Sequence, residues 1–307
     1  MPSKTGIDHA EESLGRQDIE REKLHIVDLS KGPSSLKVID TGISIGVTAD
    51  IEGSAEVILA GAKDGITKFN VKSARHEYVA KFWNEDDGPE KAKEYVSDCK
   101  RNSFYSCACR MRSNDGAVDS EGRFWVGTMN DPAVKEPTDP GVVFRMDIDG
   151  TLHRMIEKGP AIPNSISWNE KNDTMFLTDT PENNILAFDF DAATGNISNK
   201  RVFFHNKEDS NIDGHVRDVE DCIWHACYAG SKIIRISPEG EVTGEISFPT
   251  RNITCPAFVG TALFVTSAKE DEPDKYPESA KYAGNLFRVD VGVKGRPRHK
   301  ARFANLV

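Results

Sequence analysis

The sequence lacks any surplus of positive charge. Its 49 Asp and Glu outnumber 39 Lys and Arg, which gives a formal net charge of −10 at pH 7. No stretch interleaves basic residues with aromatics, the pattern that serves phosphate backbones and anionic lipid. We therefore expect no nucleic acid or membrane partner.

Long apolar runs are also missing. Residues 1–18 are polar and contain no run of seven apolar residues, as a signal peptide would. Elsewhere no apolar run approaches the roughly 20 residues that a membrane-spanning helix needs. The sequence therefore predicts a cytoplasmic location.

Cysteines are few, six in 307 residues. Cys222, Cys227 and Cys255 lie in apolar, strand-like surroundings, where we expect reduced and buried thiols. The CxC motif at residues 107–109 has Cys99 nearby but no fourth partner, so the spacing does not favour a zinc site.

Helical periodicity is scarce, and short strands bounded by turn residues fill the chain, as at residues 46–51, 56–60 and 65–69. A sequence segment with three or four predicted strands then recurs. Equivalent points at residues 116, 165, 214 and 257 lie 49, 49 and 43 residues apart. Such a period is typical of propeller blades, whereas a β-sandwich has no reason to repeat at fixed spacing. We predict one all-β propeller domain over residues 1–307.

Two stretches depart from the repeat. Residues 94–109 have no counterpart in other repeats, and we expect an insertion loop there that contributes little to stability. Residues 14–18 stand where a strand belongs but include three poor strand formers in a row. The first blade is therefore expected to be degraded or truncated.

The phrases at residues 112–119, 122–129 and 163–168 resemble the senescence-marker-protein/gluconolactonase/luciferin-regenerating-enzyme family. The resemblance runs from about Lys23 to the C-terminus. It implies six blades around an axial pocket, with a small-molecule substrate and a divalent metal, Ca²⁺, Mg²⁺, Mn²⁺ or Zn²⁺.

The resemblance also implies site residues. Asn164 and Asp213 match two metal ligands of the family, and Asp213 is also the residue that can activate water. On the residues alone, Asn and Asp before a glycine-type turn are ordinary turn formers. A hard cation does prefer such carboxylate and amide oxygens.

Further positions are expected to contact substrate. Arg112, Asn114 and Asp115 resemble the residues that hold the sugar in the family. His215 follows Asp213 closely and is either a substrate contact, a general base or a bystander. Taken without the resemblance, Asn114-Asp115-Gly116 is also a strong hairpin signal.

The third metal ligand of the family, a glutamate in a Glu-x-Pro motif, has no match. Counting from Asp8 places Ser3 at the glutamate position and Thr5 at the proline position. Glu11 and Glu12 are nearby carboxylates, but they need a register shift of eight or nine residues. Since affinity for hard cations follows ligand number and charge, metal binding is expected to be weak or absent.

Two smaller departures are Ser165 and Asp221, which stand where the family usually has glycine. Three functions stay open: a metal-dependent lactonase, a metal-poor relative that performs a cyclisation or isomerisation, and a non-catalytic propeller that binds a ligand or calcium.

Overall fold

The computed structural model describes residues 5–7, 13–83 and 111–304. The predicted insertion at 94–109, three of the six cysteines, and Ser3, Asp8, Glu11 and Glu12 lie outside the described residues. Cys222, Cys227 and Cys255 are buried free thiols, as expected.

The described strands form six antiparallel sheets, which we number as blades I to VI in chain order. Blade I contains β1 (Thr5–Ile7), β2 (Ser13–Asp18), β3 (Lys23–Asp28) and β4 (Lys37–Asp40); blade II contains β5 (Ile45–Asp50), β6 (Val57–Ala62), β7 (Gly65–Asn70) and β8 (His76–Lys81); blade III contains β9 (Met111–Val118), β10 (Phe124–Asn130), β11 (Val143–Met146) and β12 (Leu152–Ile156). Blade IV contains β13 (Pro163–Trp168), β14 (Thr174–Asp179), β15 (Asn184–Asp191) and β16 (Asn196–His205); blade V contains β17 (Asn211–Arg217), β18 (Ile223–Tyr228), β19 (Lys232–Ile236) and β20 (Val242–Ser247); blade VI contains β21 (Ile253–Val259), β22 (Ala262–Ser267) and β23 (Leu286–Asp290). Two short helices complete the described structure, a 3-10 turn at Pro33–Ser35 and an α-helix at Pro277–Ala280.

The blades close into a ring. The inner strand of each blade contacts the inner strand of the next, and β21 of blade VI contacts β1 of blade I. Apolar side chains fill the space between blades: Trp125 of blade III packs with Trp168 and Phe188 of blade IV. Each sheet thus buries both faces against its neighbours, and the prediction of a six-bladed propeller is confirmed.

A repeated aspartate fixes the turn between the inner and second strands. Asp119 accepts a 3.0 Å hydrogen bond from Trp125 Nε1, and Asp218 accepts a 2.9 Å bond from Trp224 Nε1. Both carboxylates are fully buried and also accept backbone N–H groups of their turns. These contacts hold the same turn in blades III and V.

The first blade differs from the expectation. It has four strands, so the expected truncation is wrong for the number of strands, and residues 14–18 do form part of β2. Its departure is a described inner strand of only three residues whose register with β2 is irregular. Among the described residues, blade VI is the sheet with three strands.

Candidate functional site

Residues that begin the inner strands meet at one end of the central channel, which we call the upper end. Asn114 in β9 contacts Pro163 and Asn164 at the start of β13, and Ser165 contacts His215 in β17. The ring therefore brings together residues about 50 positions apart in sequence. The end where the inner strands finish is called the lower end.

Asn114 and Asn164 form a hydrogen-bonded pair across blades III and IV. Asn114 Nδ2 donates to Pro163 O at 2.9 Å and to Asn164 Oδ1 at 3.2 Å. Asn164 Nδ2 donates to Thr180 Oγ1 at 2.6 Å. The amide orientation of Asn164 is thus fixed, with its oxygen on the Asn114 side.

Arg112 lies beside this pair and is 2% exposed. Its Nη1 donates to Ser113 O at 2.8 Å, whereas its Nη2 has no hydrogen-bond partner in the described structure. Burial lowers the pKa of Arg112 to about 10, and the charge of Asp131 opposes that shift. The guanidinium therefore stays cationic at neutral pH and retains a donor for a ligand oxygen.

Asp213 lies in β17, the inner strand next to β13, and is buried. Its charge acts on Tyr228, whose hydroxyl donates to Asp271 Oδ2 at 2.5 Å. Burial raises the pKa of Tyr228, and the hydrogen bond to Asp271 raises it further, so the phenol remains a donor. The structure thus places a carboxylate and a phenol at the boundary of blades V and VI.

Asp115 is held by its neighbours. Its Oδ1 accepts the N–H of Gly116 at 2.8 Å, and its Oδ2 accepts Ser165 Oγ at 3.0 Å. Ser165 Oγ in turn accepts the backbone N–H of His215 at 2.8 Å. Ser165, noted in the sequence only as a departure from glycine, therefore joins three inner strands.

His215 is buried between blades IV and V. Its Nε2 lies 2.7 Å from Ser167 Oγ, and its Nδ1 lies 3.0 Å from Thr178 Oγ1. Burial and the neighbouring His225 hold the pKa of His215 well below its usual range, so the imidazole is neutral. Both ring nitrogens are engaged by the protein, which indicates a role in joining the blades.

The donors at the upper end suit an oxygen-preferring cation. Asn164 supplies an amide oxygen and Asp213 a carboxylate, the ligand types that Ca²⁺ and Mg²⁺ prefer. Across the described ranges, one cluster of three potential metal-binding groups occurs, Asp218, Glu220 and Cys222. Asp218 there is already bonded to Trp224 and Arg235, so this cluster belongs to the blade turn.

Sequence reasoning missed three residues of the upper end: Asp179, Thr180 and Tyr228. Asp179 ends β14 opposite Pro163, and burial raises the pKa of its carboxyl. Each of these residues ends, or directly follows, the second strand of a blade. This position in the repeat is the signal by which the sequence could have indicated them.

Comparison with known proteins identifies the family. Residues 6–269 match the profile described as SMP-30/Gluconolactonase/LRE-like region. The chain belongs to this family.

Named relatives agree with the assignment. Regucalcin of Gallus gallus is 34% identical over 195 residues, which cover 61% of this chain and 64% of that protein's length. Pentonolactonase XacC of Haloferax volcanii is 27% identical over 292 residues, covering 92% of this chain and 88% of XacC. A putative sugar lactone lactonase, YvrE of Bacillus subtilis, is 26% identical over 254 residues, covering 81% and 78%.

Solved structures show the same fold. The calcium-binding protein regucalcin from Agrobacterium tumefaciens superimposes with a TM-score of 0.80 at 24% identity, over 98% of this chain and 93% of that one. A luciferin-regenerating enzyme gives 0.81 at 22% identity, over 97% and 94%. Among the helices that the structure describes, none is long and apolar enough to cross a membrane.

Proposed function

We propose that this protein is a lactonase-type hydrolase that opens a sugar lactone or a related small ester at the upper end of the channel. The observation that supports this most is the convergence of Arg112, Asn114 and Asn164, all buried, beside the strand that carries Asp213. Relatives named sugar lactone lactonase and pentonolactonase agree with this reaction class.

Each residue has a role that its contacts support. Arg112 Nη2 would donate to a hydroxyl or carbonyl oxygen of the substrate, because it has no partner within the described structure. Asn114 orients Asn164 through the 3.2 Å bond. Asp115, whose two oxygens are occupied by Gly116 and Ser165, would hold the strand rather than the sugar.

The reaction itself needs one base. Asp213 would accept a proton from water as the water oxygen attacks the lactone carbonyl carbon. The tetrahedral intermediate then collapses, the ring C–O bond breaks, and the departing oxygen takes the proton back. The product is the open hydroxy acid.

A divalent cation, when bound by Asn164 and Asp213, would polarise the lactone carbonyl as a Lewis acid. With the family's glutamate position on Ser3, we expect weaker metal binding than in relatives that have three protein ligands. Ca²⁺, Mg²⁺, Mn²⁺ and Zn²⁺ are the ions to test. The cytoplasmic location stays a prediction of the sequence.

The test is hydrolysis of glucono- and pentonolactones by the full chain after chelation and after addition of each of the four ions, with elemental analysis of the purified protein. Asp213→Asn should lower turnover and metal affinity at least about tenfold, equivalent to about 1.4 kcal/mol. Asp209→Asn, an exposed carboxylate just before the same strand, is the matched control. Bound metal without turnover would favour a binding propeller, and neither metal nor turnover would favour a cyclase or isomerase.

A further inference from the structure

The lower end of the channel holds a cavity of about 380 Å³ that the proposed reaction does not use. Its walls include the last residues of the inner strands, such as Asp50, Trp168 and Arg217. They also extend up the channel to Asp115, Ser165 and His215. Residues 296–300 form its floor. We call residues 294–304, which run beneath the channel, the strap.

The strap is fixed to several blades. Val219 N donates to Lys294 O at 2.9 Å, and Arg296 N donates to Arg217 O at 3.0 Å, both in or beside blade V. Farther along, Ala301 pairs with Ile51, and Arg302 N donates to Gly122 O at 3.0 Å. Backbone contacts with blades II, III and V thus hold the floor of the cavity in place.

Two guanidinium groups beside the cavity share one carboxylate. Arg217 Nη1 and Arg296 Nη1 donate to Asp221 Oδ1 at 2.8 and 3.0 Å. Asp221 and Arg296 are the groups whose charges act most strongly on Arg217, which is 5% exposed. Asp221 alone does not neutralise both guanidinium groups, and the carboxylates of the cavity lining itself are those of Asp50, Asp115 and Glu170.

Two residues of the wall also have unused donors. Arg217 Nη2 and Trp168 Nε1 are buried and have no hydrogen-bond partner in the part of the chain that the structure describes. A buried N–H without an acceptor is destabilising, so a ligand acceptor that reaches these donors would be stabilising. Burial lowers the pKa of Arg217 to about 10, which leaves it cationic at neutral pH.

The other lining residues restrict the kind of ligand that fits the cavity. Arg298 and Lys300 are exposed residues of the strap that line the cavity and add positive charge toward solvent. Asp50 and Glu170 also line it and offer acceptors. A small anion that both accepts and donates hydrogen bonds suits this mixture, and hydrogen phosphate does both.

We propose that the lower part of this cavity is a second binding site, for a small phosphate-type oxyanion, beside Arg217 and the strap and away from the candidate catalytic residues Asn164 and Asp213. The exposed charges of Arg298 and Lys300 would attract the anion toward this site. The anion would contact Arg217, Trp168 and the strap, so this site does not depend on the proposed hydrolase activity.

The experiment is calorimetric titration of the full chain with inorganic phosphate at pH 7.5, against sodium chloride of equal ionic strength. We expect saturable binding of one phosphate per chain. The exposed double variant Arg298→Ala/Lys300→Ala should raise Kd at least about tenfold while Lys294→Ala, an exposed strap residue outside the lining, should not. Arg217→Met should abolish binding, with circular dichroism to check that it folds.

Asp213→Asn should bind phosphate as the unsubstituted chain does, because Asp213 belongs to the upper end. Acetate serves as a second probe, and equal affinity for acetate would mean that carboxylates rather than phosphates are the ligand. Absence of saturable phosphate binding, or a Kd unchanged in Arg298→Ala/Lys300→Ala, overturns the proposal. Loss of binding in Asp213→Asn would assign the phosphate to the upper end and would also overturn it.

Discussion

The side-chain amide of Asn114 donates a 3.2 Å hydrogen bond to the side-chain oxygen of Asn164, which lies 50 residues later and in the next blade. The same amide bonds Pro163 O at 2.9 Å. A substrate contact proposed for one blade is therefore coupled to a metal ligand proposed for another.

Replacing Asn114 by Ala tests this coupling. Asn164 loses a group that orients it, so lactone turnover should fall at least about tenfold. Stability should fall by about 1–2 kcal/mol because Pro163 O loses its buried donor. Urea unfolding and steady-state kinetics measure the two effects. Asn196→Ala, exposed on the outer strand of blade IV, should change neither. Unaltered kinetics in Asn114→Ala would remove Asn114 from the site.

Ser165→Ala should destabilise the ring without touching the substrate directly. It removes the hydroxyl that donates to Asp115 and accepts from His215 N–H. Leaving these buried groups unpaired should cost about 1–3 kcal/mol in urea unfolding. Ser198→Ala on exposed β16 is the control and should cost little. Equal stability of the two variants would show that Ser165 does not tie the strands.

Two buried histidines should make stability depend on pH. Burial lowers the pKa of His225 to about 3, and neither of its ring nitrogens has a hydrogen-bond partner in the described structure. The unfolded chain takes up protons near pH 6.5, and the folded chain resists them, so the free energy of unfolding falls as pH drops below 6.5 toward 3. At pH 5 this histidine alone should cost about 2 kcal/mol.

His225→Leu should therefore remove about 2 kcal/mol of the loss between pH 7.5 and pH 5, as measured by urea unfolding at both values. His76→Leu, an exposed histidine of blade II, should leave the loss unchanged. An identical pH dependence in His225→Leu and the unsubstituted chain would contradict a neutral buried imidazole.

We expect Asp221 to stabilise the lower end of the channel although its backbone adopts a left-handed conformation. It has a φ of 63°, whereas the matching turn of blade III has Gly122 at 82°. Asp221→Asn keeps a residue that tolerates this conformation but removes the charge that Arg217 and Arg296 share. We expect a loss of about 1–3 kcal/mol in urea unfolding. A variant as stable as the unsubstituted chain would mean that the arginines need no counter-charge there.

The fold could be predicted because its signal is periodic. Turns such as the one at Asp119 and strands such as β10 recur at a spacing that only repeated blades explain. The first blade has four strands although residues 14–18 have poor strand propensity, because packing of Leu14 and pairing with β3 make them a strand.

The site was predictable only as a set of residue types. Arg112, Asn114 and Asn164 could be named from their motifs, but the bond between the two asparagines depends on how the blades pack. The sequence alone could not show the contacts of His215 with Ser167 and Thr178 of blade IV, and a substrate contact of His215 stays a prediction. Asp179 and Tyr228 were missed, because their position at the end of a second strand was the signal in the sequence and their environment arises from neighbouring blades.

The strap also has a consequence for how the chain folds. Ala301 pairs with Ile51, and 250 residues separate them. Contacts between such distant residues are slow to form, and here they must wait until residue 301 has been synthesised. During synthesis the blades made before the strap therefore have to stand without their lower closure, and residues 294–304 complete a surface that the earliest blades began.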